Sequence, residues 1–395
     1  MKIAHIVKSS HNIGEGALIN GMHNILRVDI NKELEFDLID RKYFQAVHGE
    51  EYNKDSVSKR FDKEFIDFLN KKYDLLIIGG GGIIQTGKYE NFGGLVLAGD
   101  LDSFNLLKIP MVVYAAGDNR FSKKDSFEYG EELSKLVKYI SDSSKSLFSL
   151  RNDLSKERII PFIDKKLHQN VNVIPDPGFY IKVDKQDHPL IRKDKKNIVI
   201  QLAGDRIAKR IKSSNDRELY IHKFLSKILN AIEIINNNFS INVILSPHIP
   251  ADFFLINKLI EIGAKKVING SGIIRELFDI NFCTRGEDMA SNFFTLYDQA
   301  DVVIGMRGHS AICSIGLSTP FISIDSHPKV VGVMNEMNLS NYSLDPSSES
   351  LDTELSNIIK ELILDPNPWH IIRNKSMIKA RQKSMEFHKL ISDII

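Results

Sequence analysis

The stretch Asp301-Val302-Val303-Ile304-Gly305-Met306-Arg307-Gly308-His309 leads through Ser310 into Ala311-Ile312-Cys313-Ser314-Ile315-Gly316. The first part is a short β-branched apolar run and the last is apolar at helical length. The reading is a buried strand, a turn over Met306 to His309, and a helix. Arg307, the Gly308 backbone N–H and His309 then fall at a helix N-terminus, where unpaired N–H groups and the helix dipole favour an anion. Arginine adds a planar fork for carboxylate or phosphate, and histidine exchanges protons near neutral pH. Together they point to chemistry on a small phosphorylated acid.

Working outward, the same strand-then-helix alternation fills the chain. Apolar runs at Ile3 to Val7, Phe36 to Ile39, Leu75 to Ile78, Met111 to Tyr114 and Leu147 to Leu150 are separated by segments long enough for crossover helices. A second series follows at Ile198 to Leu202, Asn242 to Leu245, Lys266 to Ile268, Val302 to Ile304 and Phe321 to Ile324. The pattern predicts an α/β protein of two Rossmann-like domains whose parallel sheets face a cleft. The charged stretch Lys182 to Lys196 lacks apolar periodicity and reads as the linker. The expected domains are residues 1–185 and 186–350, with helices over 351–395 packing back on the first.

Composition agrees with two soluble domains. The 395 residues exceed one ordinary core, and 43% hydrophobic with 26% charged residues is typical of a globular chain. Lys and Arg number 52 against 51 Asp and Glu, so no global field argues for nucleic acid and any anion site is local. Cys283 and Cys313 show neither disulfide-framework nor zinc spacing. No apolar run reaches the length of a signal peptide or a membrane span, so the expected location is the cytoplasm. The tail cations Arg373, Lys375, Lys379, Arg381, Lys383 and Lys389 read as a solvated helix face, with contact to an anionic membrane as the alternative.

Several turns after strands carry candidate residues. In Asn12-Ile13-Gly14-Glu15-Gly16 the glycines admit either a close ligand or simply a tight turn. Gly79 to Gly82 follows an apolar run, and Gly82 to Lys88 has the spacing of a phosphate-binding loop. The match fails because Tyr89 stands where a magnesium-holding Ser or Thr belongs. Gly80 and Gly81 are instead read as a backbone platform facing the cleft. Asp100-Leu101-Asp102 reads as a helix cap or a metal-binding pair. Arg151 either faces the cleft or pairs with Asp153. Arg206, at the end of the first strand of the second sheet, is a ligand group or a surface arginine. His248 follows the next strand as a loop histidine or a site residue.

The order and spacing of these pieces resemble the polysaccharide pyruvyl transferases over roughly residues 1–340. The resemblance rests on Asn12-x-Gly14 followed by Ala17, Gly79 to Gly82, Arg151-x-x-x-Ser155, Asp176-Pro177-x-Phe179, and above all Ala300-Asp301-x-Val303-Ile304-Gly305-Met306-Arg307-x-His309. Gly316-x-x-x-Pro320 and Lys329 follow. It implies a GT-B-like fold and transfer of the pyruvyl group of phosphoenolpyruvate onto two hydroxyls of a sugar as a cyclic ketal, with release of phosphate. The acceptor would belong to a cell-surface exopolysaccharide or its precursor. If that acceptor is lipid-linked, the enzyme works at the inner face of the membrane.

By the same resemblance Arg307, Gly308, His309, Arg206 and Lys329 are donor-side residues, with His309 and Arg307 catalytic. Asn12, Gly14, Glu15, Gly80, Gly81, Arg151 and His248 are candidates for the cleft or the acceptor. Neither a metal nor another cofactor is called for. Glu15 stands where the family has Asp, Gly308 where it has Leu, and Asn152 where it is commonly acidic. Two other readings share the architecture. A glycosyltransferase using a nucleotide sugar would need a base and ribose pocket, whereas a non-catalytic sugar-binding module would not need an Arg/His pair at a helix end.

Overall fold

The computed structural model describes residues 1–7, 12–39, 63–84, 104–120, 130–205, 217–265, 276–277 and 287–395. Arg206, Cys283, Asp100 to Asp102, the strand expected at Lys266 to Ile268 and the Lys88 end of the loop match lie outside the described residues.

The first series contains β1 (Lys2–Ile6), α1 (Ile13–Asp29), β2 (Glu35–Ile39), α2 (Lys63–Lys72), β3 (Leu75–Ile84), β4 (Met111–Asp118), α3 (Gly130–Asp142), β5 (Ser146–Arg151), α4 (Ser155–Ile159) and β6 (Asn172–Ile174). The second contains β7 (Lys196–Gln201), α5 (Arg217–Asn236), β8 (Ile241–Leu245), α6 (Phe253–Lys265), β9 (Glu276–Leu277), α7 (Glu287–Asp298), β10 (Val302–Gly305), α8 (Gly308–Leu317), β11 (Phe321–Ile324), α9 (Pro328–Glu336) and β12 (Ser343–Leu344), followed by α10 (Leu351–Leu364) and α11 (Asn367–Ile394). Both sheets are parallel, in the orders β2-β1-β3-β4-β5-β6 and β12-β11-β10-β7-β8-β9. The second is the dinucleotide-fold order 3-2-1-4-5-6, and the first is the 2-1-3-4-5 order with a strand added. Continuous apolar strands suit sheets covered on both faces, and β4 and β10 are buried along their whole lengths.

Two compact units emerge: Met1–Ser10, Gly21–Pro177 and Lys379–Ile395 form one, while His11–Asn20 and Gly178–Ile378 form the other. The change of unit at Pro177 and Gly178 precedes the linker expected over Lys182 to Lys196. That stretch, read from charge and missing periodicity as the linker, is held in the second unit, where the Asp184 N–H donates to Thr295 Oγ1 of α7 at 3.2 Å and the His188 N–H to Gln299 Oε1, just past that helix, at 2.8 Å. The tail is likewise divided, residues up to Ile378 grouping with the second unit and the rest with the first.

In the first unit β3 continues through the glycines instead of ending at Ile78. Gly79, Gly80 and Gly81 have φ of 116°, 77° and 90°, a region that favours glycine, and the register with β4 shifts there. The carbonyl of Gly79 accepts from His5 Nε2 at 2.9 Å, and His5 Nδ1 meets His23 Nε2 at 3.0 Å. Burial and the neighbouring His23 push His5 down to about 3, although the Gly79 bond opposes them. It is therefore a neutral core histidine, donating through Nε2 and accepting through Nδ1.

The last turns of α11 are pinned to the first sheet by polar bonds. Tyr114 and His388 meet at 2.7 Å, His388 Nδ1 and Asp29 Oδ2 at 2.6 Å, and Arg381 grips Asp29 with both terminal nitrogens. In the second unit Arg373 donates to the carbonyls of Ile315 and Gly316, each at 2.7 Å, closing the C-terminal turn of α8. Arg373 and Arg381 thus serve internal bonds, unlike the solvated face expected of the tail cations. Among the described residues no helix is long and apolar enough to cross a membrane.

Candidate functional site

In the second sheet the strand order reverses between β7 and β10, and open α/β sheets bind ligands outside the carboxyl ends of strands at such a point. Gln201 to Asp205 leave β7 there, and Gly305 to His309 leave β10. The two turns are stitched together, because the Met306 N–H donates both to the Gln201 carbonyl at 3.2 Å and to Gln201 Oε1 at 3.1 Å.

Arg307 is the centre of this edge, and its fork is already engaged. Nε donates to Asp252 Oδ2 at 2.9 Å, Nη2 also bonds Asp252 Oδ1, and Nη2 reaches Asp205 Oδ1 at 2.6 Å. Burial opposes the charge, but Asp252 and Asp205 outweigh it and raise Arg307 above its ordinary value, so it stays protonated. Among the described residues Nη1 carries no bond, leaving two N–H donors.

Asp252 has no solvent exposure. Its carboxylate also accepts from the backbone N–H groups of Gly204 at 3.0 Å, His248 at 2.9 Å and Ile249 at 3.3 Å, and from Gln201 Nε2 at 3.2 Å. One cation and four N–H donors around this buried carboxylate hold it rigidly in place.

His309 sits in the first turn of α8 and faces the start of α1. A Cβ added to Gly14 would lie 2.4 Å from His309 Nδ1 and 2.6 Å from its Cβ, so the backbone of residue 14 is in contact with the imidazole. Asn12 builds that approach: its Oδ1 accepts the Gly14 N–H and its carbonyl the Glu15 N–H, both at 3.0 Å. The Ile13 N–H donates to the His248 carbonyl at 3.2 Å, tying the same turn to the loop after β8. Lys329 lies in the first turn of α9, its Cβ 3.8 Å from where a Gly308 Cβ would stand. Position 308 therefore has room for a Cβ.

His248 is fully buried, with Nε2 at 2.8 Å from the Tyr297 hydroxyl. Burial, then the charges of Arg307 and His309, push it well below its ordinary value, so it is neutral at pH 7. Phe293 and Phe294 meet its ring edge to face at 5.4 and 5.6 Å between centroids. Its side chain belongs to the supporting wall behind Arg307.

A sequence profile described as "Polysaccharide pyruvyl transferase" matches residues 12–328, well over half of the chain. The chain belongs to this family. Comparison with curated proteins finds no match. Among solved structures, a UDP-GlcNAc 2-epimerase from Methanocaldococcus jannaschii superposes with a TM-score of 0.54 at 12% identity, covering 92% of this chain and 93% of that one. One from Neisseria meningitidis, bound to UDP-GlcNAc, gives 0.54 at 11% identity, covering 97% and 100%. A putative one from Listeria monocytogenes gives 0.53 at 10%, covering 97% and 90%. At such identity these likenesses show the fold alone, which is GT-B-like.

The family pattern also has pieces in the first unit, and these prove to be heavily paired. Arg151 donates to Asp176 Oδ2 at 2.6 Å and, through Nε, to Asp153 Oδ2 at 2.8 Å. Burial opposes its charge, yet the two carboxylates raise it above its ordinary value. Of the two sequence readings for Arg151, pairing is the one realised. Ser155 of the same motif bonds Asp153 and accepts the Asp118 N–H at 2.8 Å. Asp118 in turn takes Arg120 Nε at 3.0 Å and Arg158 Nε at 2.6 Å.

The structure thus gathers Asn12, Gly14, Glu15, His248, Arg307, Gly308, His309 and Lys329 in the second unit, while Gly80, Gly81 and Arg151 belong to the first. Sequence reading missed Asp252 and Asp205 as partners of Arg307. Asp205 lies in the turn that follows β7. Asp252, beside Pro250 at a helix start, looks like an ordinary cap, and it also serves as one by accepting the His248 and Ile249 N–H groups.

Proposed function

We propose that this family member transfers the pyruvyl group of phosphoenolpyruvate to a sugar of a cell-surface polysaccharide or its precursor. The observation that carries the reading is an arginine held rigid by Asp252 beside a histidine, both at one helix N-terminus on the β7/β10 switch point. Arg307, Lys329 and the N-terminal end of the helix at Gly308 and His309 would neutralise the donor's carboxylate and phosphate.

The chemistry needs a proton on the donor's methylene carbon. His309 supplies it, giving a methyl group beside an oxocarbenium-like carbon. One sugar hydroxyl adds to that carbon. The C–O bond to phosphate then breaks and the second hydroxyl closes the ketal. Of the two hydroxyl protons, one restores the acid that fed the carbon and the other leaves with hydrogen phosphate, so charge and protons balance. Arg307 stabilises the departing anion throughout.

Incubation with phosphoenolpyruvate and a panel of free and lipid-linked sugar acceptors, read by phosphate release and by product mass, tests the reading. Acceptor-dependent phosphate release with a ketal product supports it. Binding of a uridine or guanosine diphosphate sugar, with no response to phosphoenolpyruvate, supports a glycosyltransferase instead.

A further inference from the structure

The five N–H bonds that a guanidinium can donate are not spread evenly around Arg307. Nε and one hydrogen of Nη2 face Asp252 side-on, and the remaining Nη2 hydrogen meets Asp205. An oxyanion that approaches the outer edge and uses both terminal nitrogens needs the Nη2 hydrogen that Asp205 holds. The charges agree with the geometry. The Asp205 carboxylate on that nitrogen also repels an anion approaching the same edge.

The two carboxylates differ in whether they can yield. The Asp252 side chain has 0% exposure and is fixed by four further N–H donors from Gly204, His248, Ile249 and Gln201. Asp205 is 26% exposed and follows Gly204 at the end of the β7 turn. Removing Asp252 from Arg307 would strand a buried charge, whereas Asp205 exchanges its arginine for water at much lower cost.

We propose that Asp205 is a specificity-determining carboxylate that occupies the outer prong of Arg307 and is displaced by the donor's anionic group. The inference rests on the donor-site reading of Arg307 given above. Asp205 then acts as an internal competitor. It sets a threshold that a donor with two anionic groups crosses and that a single weak oxyanion, including released phosphate, does not. Asp252 has the opposite role, that of a positioning residue that aims the fork.

The test is calorimetric titration of wild type, Asp205→Asn and Asp252→Asn with phosphoenolpyruvate and, separately, with inorganic phosphate. Folding of each variant is checked by circular dichroism. Asparagine keeps the shape of the aspartate but not its charge. Asp205→Asn should bind both anions more tightly than wild type, by on the order of tenfold, or about 1.4 kcal/mol. The gain should be visible with phosphate alone, and Asp252→Asn should bind both more weakly. If Asp205 merely supports Arg307, Asp205→Asn will bind both anions no better than wild type, and the proposal is overturned. If phosphoenolpyruvate binds none of the proteins while phosphate still binds Asp205→Asn more tightly, the donor assignment fails and the competitor role stands.

Discussion

Gly14 lies against His309 so closely that a Cβ on residue 14 would stand 2.4 Å from the imidazole Nδ1. The neighbours are the histidine's own Nδ1, Cβ and Cγ, so a methyl group can be accommodated only by moving the ring. Gly14→Ala is therefore expected to fold, since alanine favours a helix, but to displace His309. Steady-state kinetics should show kcat falling by about 10²-fold, the size of effect a misplaced catalytic group produces. KM for the donor should change far less. An alanine variant with unchanged kcat would contradict the role given to this contact.

Arg307 carries a second consequence of burial. Arg307→Ala removes the cation from the unexposed Asp252 and should destabilise the fold by about 3–5 kcal/mol, as breaking a buried pair does. Loss of donor binding in that variant would be ambiguous. Arg307→Lys keeps the charge but loses the planar fork. It should retain a cooperative urea transition near that of wild type and bind phosphoenolpyruvate at least tenfold more weakly, a loss of about 1.4 kcal/mol. Equal affinity of the lysine variant would remove the fork from donor recognition.

Arg151 allows a contrast in the first unit. It separates two buried carboxylates, Asp153 and Asp176, and the space beside it is filled: a Cβ on Gly117 would lie 2.6 Å from its Nη2. Arg151→Met removes the guanidinium from both aspartates and should lower the urea midpoint by the equivalent of about 3–5 kcal/mol. An unshifted midpoint would show that the pairing contributes little to stability.

The fold was legible where apolar runs carry period and length. β7 and β10 are such runs, and the β10 turn brought Arg307 and His309 to a helix end as the spacing predicts. The short strands β6 and β12, of three and two residues, carry no readable period. The glycines after Ile78 read as a turn because glycine usually breaks strands, but here the strand continues with positive φ. The partners of Arg307 were harder still. Asp252 is separated from Arg307 by several elements, and only the parallel order β10-β7-β8 brings the ends of those strands together. The side-by-side carboxylates of Arg151 were half legible: Asp153 is two residues away, and Asp176 arrives only through the pairing of β5 with β6.

Stability in acid should report the C-terminal pin. Burial opposes ionisation of Asp29, but bonds from His388 and Arg381 lower it to about 2 in the fold. Burial also holds His388 below its ordinary value, so as a neutral ring it donates to Asp29 and accepts from Tyr114. A carboxyl depressed in the folded state contributes its full stability above its unfolded value, about 3.9. It loses that contribution as pH falls through the folded value. The difference in unfolding free energy between wild type and Asp29→Asn should therefore shrink as pH falls from about pH 4 to pH 2. A difference that stays constant through that window would mean the pin does not depend on the Asp29 charge.

Single-turnover phosphate release by His309→Asn at saturating phosphoenolpyruvate and acceptor separates proton donation by His309 from the grip of Arg307 on the donor. The rate should fall by roughly 10²–10⁴-fold, with calorimetric affinity for phosphoenolpyruvate within a few-fold of wild type, because proton transfer matters in the transition state rather than in the bound donor. Wild-type release rates in the variant, or no phosphoenolpyruvate-dependent release from the wild-type protein with any acceptor, would rule out His309 as the proton donor to phosphoenolpyruvate.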